Sequence, residues 1–164
     1  MPPEITAAAI SEGSLADFTR RELMVFRLRE RDTAGIIGEL SRVLQQQGCV
    51  PDVLPFYQAA LNQELLSNSA NGLGIAVAHA RSGGVKQLQF AVGRAAQPVV
   101  WGVKGSWPVQ LVFLLAVPAT DAAAYLHLLS SLARLGRNHE ILAELLAASD
   151  ASGVLTVLRK IKLP

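Results

Sequence analysis

The 164-residue chain carries three histidines, His79, His127 and His139, and one cysteine, Cys49. An imidazole takes and gives protons close to neutral pH and can attack as a nucleophile, so chemistry is sought first at these positions. His79 follows the polar, glycine-containing loop Ser67-Asn68-Ser69-Ala70-Asn71-Gly72-Leu73-Gly74 and the short apolar stretch Ile75-Ala76-Val77-Ala78. Loop and strand together place it at a strand end. On the residues alone two readings stay open, a reactive imidazole and a hydrogen-bonded structural histidine. His127 shares a helix face with Ser131 and Arg134 and is read as exposed, and His139, beside a helix start, as a surface or capping residue. No Cys or His pair has the spacing of a structural zinc site, and Cys49 reads as a small apolar filler near a helix end. Neither a metal nor a cofactor is expected.

The elements that must position His79 follow from apolar spacing. Leu23 to Leu28 is short and partly alternating, as expected of a strand near a sheet edge. The alternating Arg27, Arg29 and Arg31 then mark the solvated face of a strand leaving the core. Asp32 can cap a helix over roughly 33–47 in which Ile36, Leu40, Val43 and Leu44 recur at helical spacing, with Gly48 as its stop. A second helix begins after Asp52, tolerates Pro55 in its first turn and ends near Leu66. Further strands are expected at Gln87 to Val92 and Pro108 to Val117, with a minor one at Val99 to Trp101. Helices then dominate: about 122–135 capped by Thr120 or Asp121, one from Asn138 to about 147, and one from Asp150 or Ser152 to about 161. The expected fold is α/β (α+β), a mixed central sheet flanked by helices on both faces with a helical C-terminal third.

Composition sets the limits. The length suits a single domain spanning 1–164, and 51% apolar against 17% charged residues is a globular balance. The longest apolar run, Leu111 to Val117, is far short of the roughly 20 residues that cross a bilayer, so no membrane insertion is expected. Met1-Pro2-Pro3-Glu4 has neither a basic nor an apolar leader region, which implies a cytoplasmic protein. A net charge of +2 from 15 basic and 13 acidic residues is too balanced for nucleic-acid binding. Trp101 and Trp107 precede the long strand, and interface anchoring and core packing are both open for them.

The stretch Asn71-Gly72-Leu73-Gly74-Ile75-Ala76-Val77-Ala78-His79-Ala80-Arg81 resembles the active-site signature of the enzyme IIA domains of the bacterial sugar phosphotransferase system, mannitol/fructose type. That signature is glycines, a short apolar strand, then Pro-His-Gly or Pro-His-Ala-Arg. Pro108 to Pro118 resembles the family's long central strand and Tyr125 to Ala133 the helix after it, while Glu64 and Ser69 fall where the family has a Glu and a Thr. The similarity covers roughly residues 23–162. It implies that His79 carries a phosphoryl group received from the phosphohistidine carrier protein. The acceptor would be a IIB domain or, in the nitrogen-regulatory branch, none, with phosphorylation controlling docking to potassium-transport and sensor proteins. Ala80-Arg81 after the histidine and the lack of a fused IIB or membrane domain point to that branch.

The chain departs from the pattern near the expected phosphate. Gln63 stands where many relatives have an arginine, Tyr125 where a second histidine is frequent, and Ala78 where proline is usual. An amide and a phenol donate hydrogen bonds without bringing charge. Arg81 can restore a cation on the histidine's side if the strand continues that far. The expected phosphate neighbourhood is therefore Gln63, Glu64, Ser69, Arg81 and Tyr125. A phosphorylation-independent interaction module of the same fold, or a sugar-transport component, is the alternative to the regulatory phosphocarrier.

Overall fold

The computed structural model describes residues 13–102, 107–120 and 122–163. Four strands, β1 (Met24–Val25), β2 (Gly74–Ser82), β3 (Gln89–Trp101) and β4 (Trp107–Pro118), form one sheet in the order β1-β3-β4-β2. β3 and β4 are antiparallel, whereas β1 runs parallel to β3 and β2 parallel to β4. The sheet is thus mixed, and β2 forms one of its edges. The helices are α1 (Thr33–Gln46), α2 (Val53–Leu66), α3 (Ala122–Gly136), α4 (His139–Ala147) and α5 (Ala151–Arg159).

β4 explains the layering. Its alternate residues Leu111, Phe113, Leu115 and Val117 pack with α3, α4 and α5, while Val112, Leu114 and Ala116 pack with α1 and α2. A strand buried on both faces must be apolar throughout, which is why this segment reads as an unbroken run. On β2 the second face contributes Ala76, Ala78 and Ala80 to that core, and these small side chains let α2 lie close to the sheet.

The helix boundaries follow their chemistry. Asp32, Asn138 and Asp150 each accept a hydrogen bond from the backbone N–H three residues on, capping α1, α4 and α5. At the other end of α1, Gly48 has φ +79°, its N–H reaches Gln45 O, and Cys49 N–H reaches Leu44 O at 2.9 Å. That paired closure is the usual helix stop built on a left-handed glycine. Expectations about residues 1–4 and a cap at Asp121 fall outside the described residues.

Three expectations are corrected. The first strand is only the two residues of β1, preceded by a 3-10 turn over Arg21–Leu23, and Arg27, Arg29 and Arg31 are exposed on irregular backbone beyond it. The separate strands near 87–92 and 99–101 are one long β3, interrupted by an irregularity between Arg94 and Val99 that hides the alternation. β2 continues to Ser82, so His79 lies within the strand, beside Leu115 of β4, and not at its end. Trp101 is fully buried against the α1 and α2 core, whereas Trp107 is 45% exposed and its ring lies over Gly72.

Candidate functional site

The site begins at the end of α2. Glu64 is buried, 4% exposed, and both carboxylate oxygens are used: Oε1 accepts from Ser69 Oγ at 2.7 Å and Oε2 from Ser69 N–H at 2.5 Å. The same hydroxyl oxygen accepts from Val77 N–H at 3.0 Å. Ser69 therefore ties the end of α2 to β2 two residues before His79. A buried carboxylate needs such partners to offset lost hydration.

The loop between them is shaped by Asn71. Its Oδ1 accepts from Leu73 N–H at 2.8 Å and Ile75 N–H at 3.2 Å, and its own N–H donates to Ile75 O at 3.0 Å. Gly72 and Gly74, at φ +77° and +94°, take the left-handed backbone that this tight return requires. Asn71 is a positioning residue that sequence reasoning did not single out, although Asn followed by Gly was the available signal.

Along β2 successive side chains alternate between faces. Ile75, Val77, His79 and Arg81 thus share the face toward α3, and the first two join its core. His79 is half-buried where that core gives way to solvent. Tyr125 of α3 meets it: the phenolic oxygen is 3.3 Å from His79 Nε2, with ring centroids 5.0 Å apart at 41°. Because β2 persists to Ser82, exposed Arg81 stands on the same side, its guanidinium carbon 5.8 Å from the centroid of the Tyr125 ring.

The electrostatics follow. Burial lowers the pKa of His79, the Arg81 cation lowers it further, and Glu64 pulls it back up. The imidazole is therefore neutral at physiological pH, with a free electron pair on one nitrogen. Burial raises the pKa of Tyr125 while Arg81 opposes this, so the phenol keeps its proton. A neutral, oriented imidazole beside a hydroxyl and an exposed cation can attack an electrophilic phosphorus and hold the anion that results.

Of the sequence-predicted residues, the fold brings His79, Arg81 and Tyr125 together, with Glu64 and Ser69 supporting them from behind. Gln63 precedes Glu64 on α2 and is exposed, and among the described residues no hydrogen bond joins its side chain to His79. One residue along a helix turns the side chain by about 100°, so Gln63 reaches solvent while Glu64 stays buried. His127 and His139 are exposed. Cys49 is buried, which raises its thiol pKa.

Known proteins agree with this architecture. Residues 17–161 match the family model described as phosphoenolpyruvate-dependent sugar phosphotransferase system, EIIA 2. The chain is 30% identical over 147 residues, 88% of its length, to the PTS system 2-O-alpha-mannosyl-D-glycerate-specific EIIABC component of Escherichia coli strain K12, and covers 22% of that protein. It is 31% identical over 102 residues to a nitrogen regulatory protein of Bradyrhizobium diazoefficiens, covering 62% of this chain and 67% of the relative. The crystal structure of nitrogen regulatory protein IIA-Ntr from Neisseria meningitidis superposes with a TM-score of 0.73 at 25% identity, covering 88% of this chain and 98% of that one. The chain spans about a fifth of the length of that EIIABC component and of the PTS system fructose-specific EIIABC component of Bacillus subtilis strain 168, to which it is 28% identical. No helix among the described residues is long and apolar enough to cross a membrane. The matched span takes in β1 to β4, α1 to α5 and the His79 constellation, and the chain belongs to the EIIA 2 family of the phosphoenolpyruvate-dependent sugar phosphotransferase system.

Proposed function

We propose that this chain is a phosphocarrier whose acceptor is His79, charged by the phosphohistidine carrier protein, and that it acts as a nitrogen- or potassium-regulatory protein. The observation that supports it most is the state of His79: a neutral, half-buried imidazole fixed by Tyr125 on one face and opening to solvent beside Arg81. In the transfer, an imidazole nitrogen of His79 attacks phosphorus in line. The new P–N bond forms as the donor's P–N bond breaks, and the donor leaves as neutral imidazole with the electron pair of the broken bond. Positioning and charge compensation are all the protein must supply. The added charge then changes which surfaces can dock against this face. Likeness to the nitrogen regulatory proteins of Bradyrhizobium and Neisseria favours the regulatory role. One relative of the same fold is solved as a complex of mannitol enzyme IIA with phosphorylated enzyme IIB, and a IIB domain is the corresponding acceptor if transport is the role instead.

A second reading, a docking module without phosphoryl turnover, is favoured by the Tyr125 hydroxyl beside Nε2 and by the absence of charge at Gln63. Intact-protein mass spectrometry after incubation with phosphoenolpyruvate, enzyme I and the cognate carrier protein separates the two. Phosphocarrier chemistry predicts an acid-labile phosphoryl adduct on wild type and none on His79→Ala. No adduct on wild type overturns it in favour of the docking module, whose partner affinity would survive His79→Ala.

A further inference from the structure

With an uncharged amide at Gln63 and a phenol in place of a second imidazole, a phosphoryl group on His79 needs its counter-charge from elsewhere. Around His79, three groups of the described residues bear on the imaginable charge balance: Glu64 from α2, Tyr125 from α3 and Arg81 from β2 itself. Glu64 is negative and already engaged twice by Ser69. Tyr125 is uncharged. Arg81 is the one cation among the described residues whose charge acts on His79.

Its position suits the task. Residues two apart in a strand lie on one face about 6.5–7 Å apart, within the span of an arginine side chain. Arg81 is exposed, no ion pair engages it among the described residues, and its guanidinium lies against the Tyr125 ring face, a weak attraction. A guanidinium presents a planar fork that fits two phosphoryl oxygens.

We propose that Arg81 is the residue that stabilises the phosphoryl group in this protein, resting over Tyr125 in the unmodified state and turning onto the phosphoryl oxygens when His79 is phosphorylated. The assignment rests on the phosphocarrier reading of His79 and adds the identity of its counter-charge. Arg81 then serves both halves of the cycle. Before transfer its charge discourages protonation of the imidazole, and after transfer it offsets the phosphoryl charge and slows attack by water.

The test compares wild type with Arg81→Gln and Arg81→Lys, each charged with the cognate carrier protein and, separately, with phosphoramidate as a small donor that needs no docking. Adduct decay is followed by mass spectrometry and 31P NMR, and the His79 ring by NMR titration of the unmodified proteins. Arg81→Gln is expected to shorten adduct lifetime about 10- to 100-fold, the scale of one charge-assisted hydrogen bond, and to raise the His79 pKa. Arg81→Lys should restore the pKa and only part of the lifetime, because it keeps charge without the fork. Equal lifetimes for wild type and Arg81→Gln overturn the role of Arg81 while leaving His79 as carrier. An unmoved His79 titration overturns its role before transfer. Failure of wild type to accept phosphate from either donor overturns the carrier reading, and the Arg81 assignment with it.

Discussion

Replacing Ser69 with alanine should loosen the site more than the loss of one small side chain suggests. The hydroxyl donates to Glu64 at 2.7 Å and accepts from Val77 N–H at 3.0 Å, so a single oxygen closes two hydrogen bonds that join α2 to β2. A bond to a carboxylate contributes about 1.5–3 kcal/mol and an ordinary one about 0.5–1.5 kcal/mol. Glu64 keeps the Ser69 N–H bond, which is a backbone contact, but its other oxygen is left facing a dry environment. The expected cost is about 2–4 kcal/mol, or a fall in Tm of about 5–15 °C for a chain of this length. Urea unfolding followed by circular dichroism measures the total, and hydrogen exchange at the Val77 amide reports the local opening. Ser69→Thr keeps the hydroxyl and should lie within about 0.5 kcal/mol of wild type, the usual size of a harmless substitution. If Ser69→Ala also lies within that margin with Val77 still protected, the clamp is not what holds the loop against β2.

Two other outcomes are expected. Because the folded protein holds the His79 pKa below its ordinary value near 6.5, the unfolded chain binds the proton more readily. Stability is then fully present above that range and lost as pH falls from about 6.5 through the folded value, and His79→Gln should flatten this part of a urea-midpoint-versus-pH curve. Arg94 donates to the carbonyls of Leu145, Leu146 and Ala148 at 3.0, 3.2 and 2.7 Å, closing the C-terminal end of α4. Arg94→Met should cost about 1–3 kcal/mol in urea unfolding, with Arg94→Lys recovering part; equal stability for wild type and Arg94→Met would show that water caps the helix as well.

Local chemistry made the helices legible. Asp32, Asn138 and Asp150 are legible as caps because a short polar side chain before an apolar period does one thing well, and Gly48 as a stop because glycine takes the left-handed backbone without strain. The long apolar run of β4 announced a strand buried on both faces. The features that are not legible locally depend on partners distant in sequence. β3 looked like two strands because its irregularity between Arg94 and Val99 breaks the alternation that pairing with β4 sustains. The length of β2 beyond Ala78 is set by its pairing with β4, where Ala80, Arg81 and Ser82 sit opposite Ala116, Val117 and Pro118, so an apolar stretch ending at Ala78 understates the strand. The convergence of Tyr125 on His79 depends on how α3 crosses the sheet, and only the resemblance to a known family pointed to it. Arg94 carries no motif, since its three acceptors are carbonyls more than fifty residues on.

The position of β2 at the rim of the sheet has a consequence for solubility. The turn at Ser69 to Asn71 covers its outer side through bonds to Ile75 and Val77, and among the described residues no strand pairs with it beyond them. An open rim invites pairing with another chain, and a charged side chain placed on it is a common deterrent. Arg81 is exposed on this uncovered stretch. Two copies aligning their β2 rims would force two guanidinium groups together while stripping water from both. The strand that carries His79 can thus stay at the margin of the sheet without becoming the seed of an aggregate.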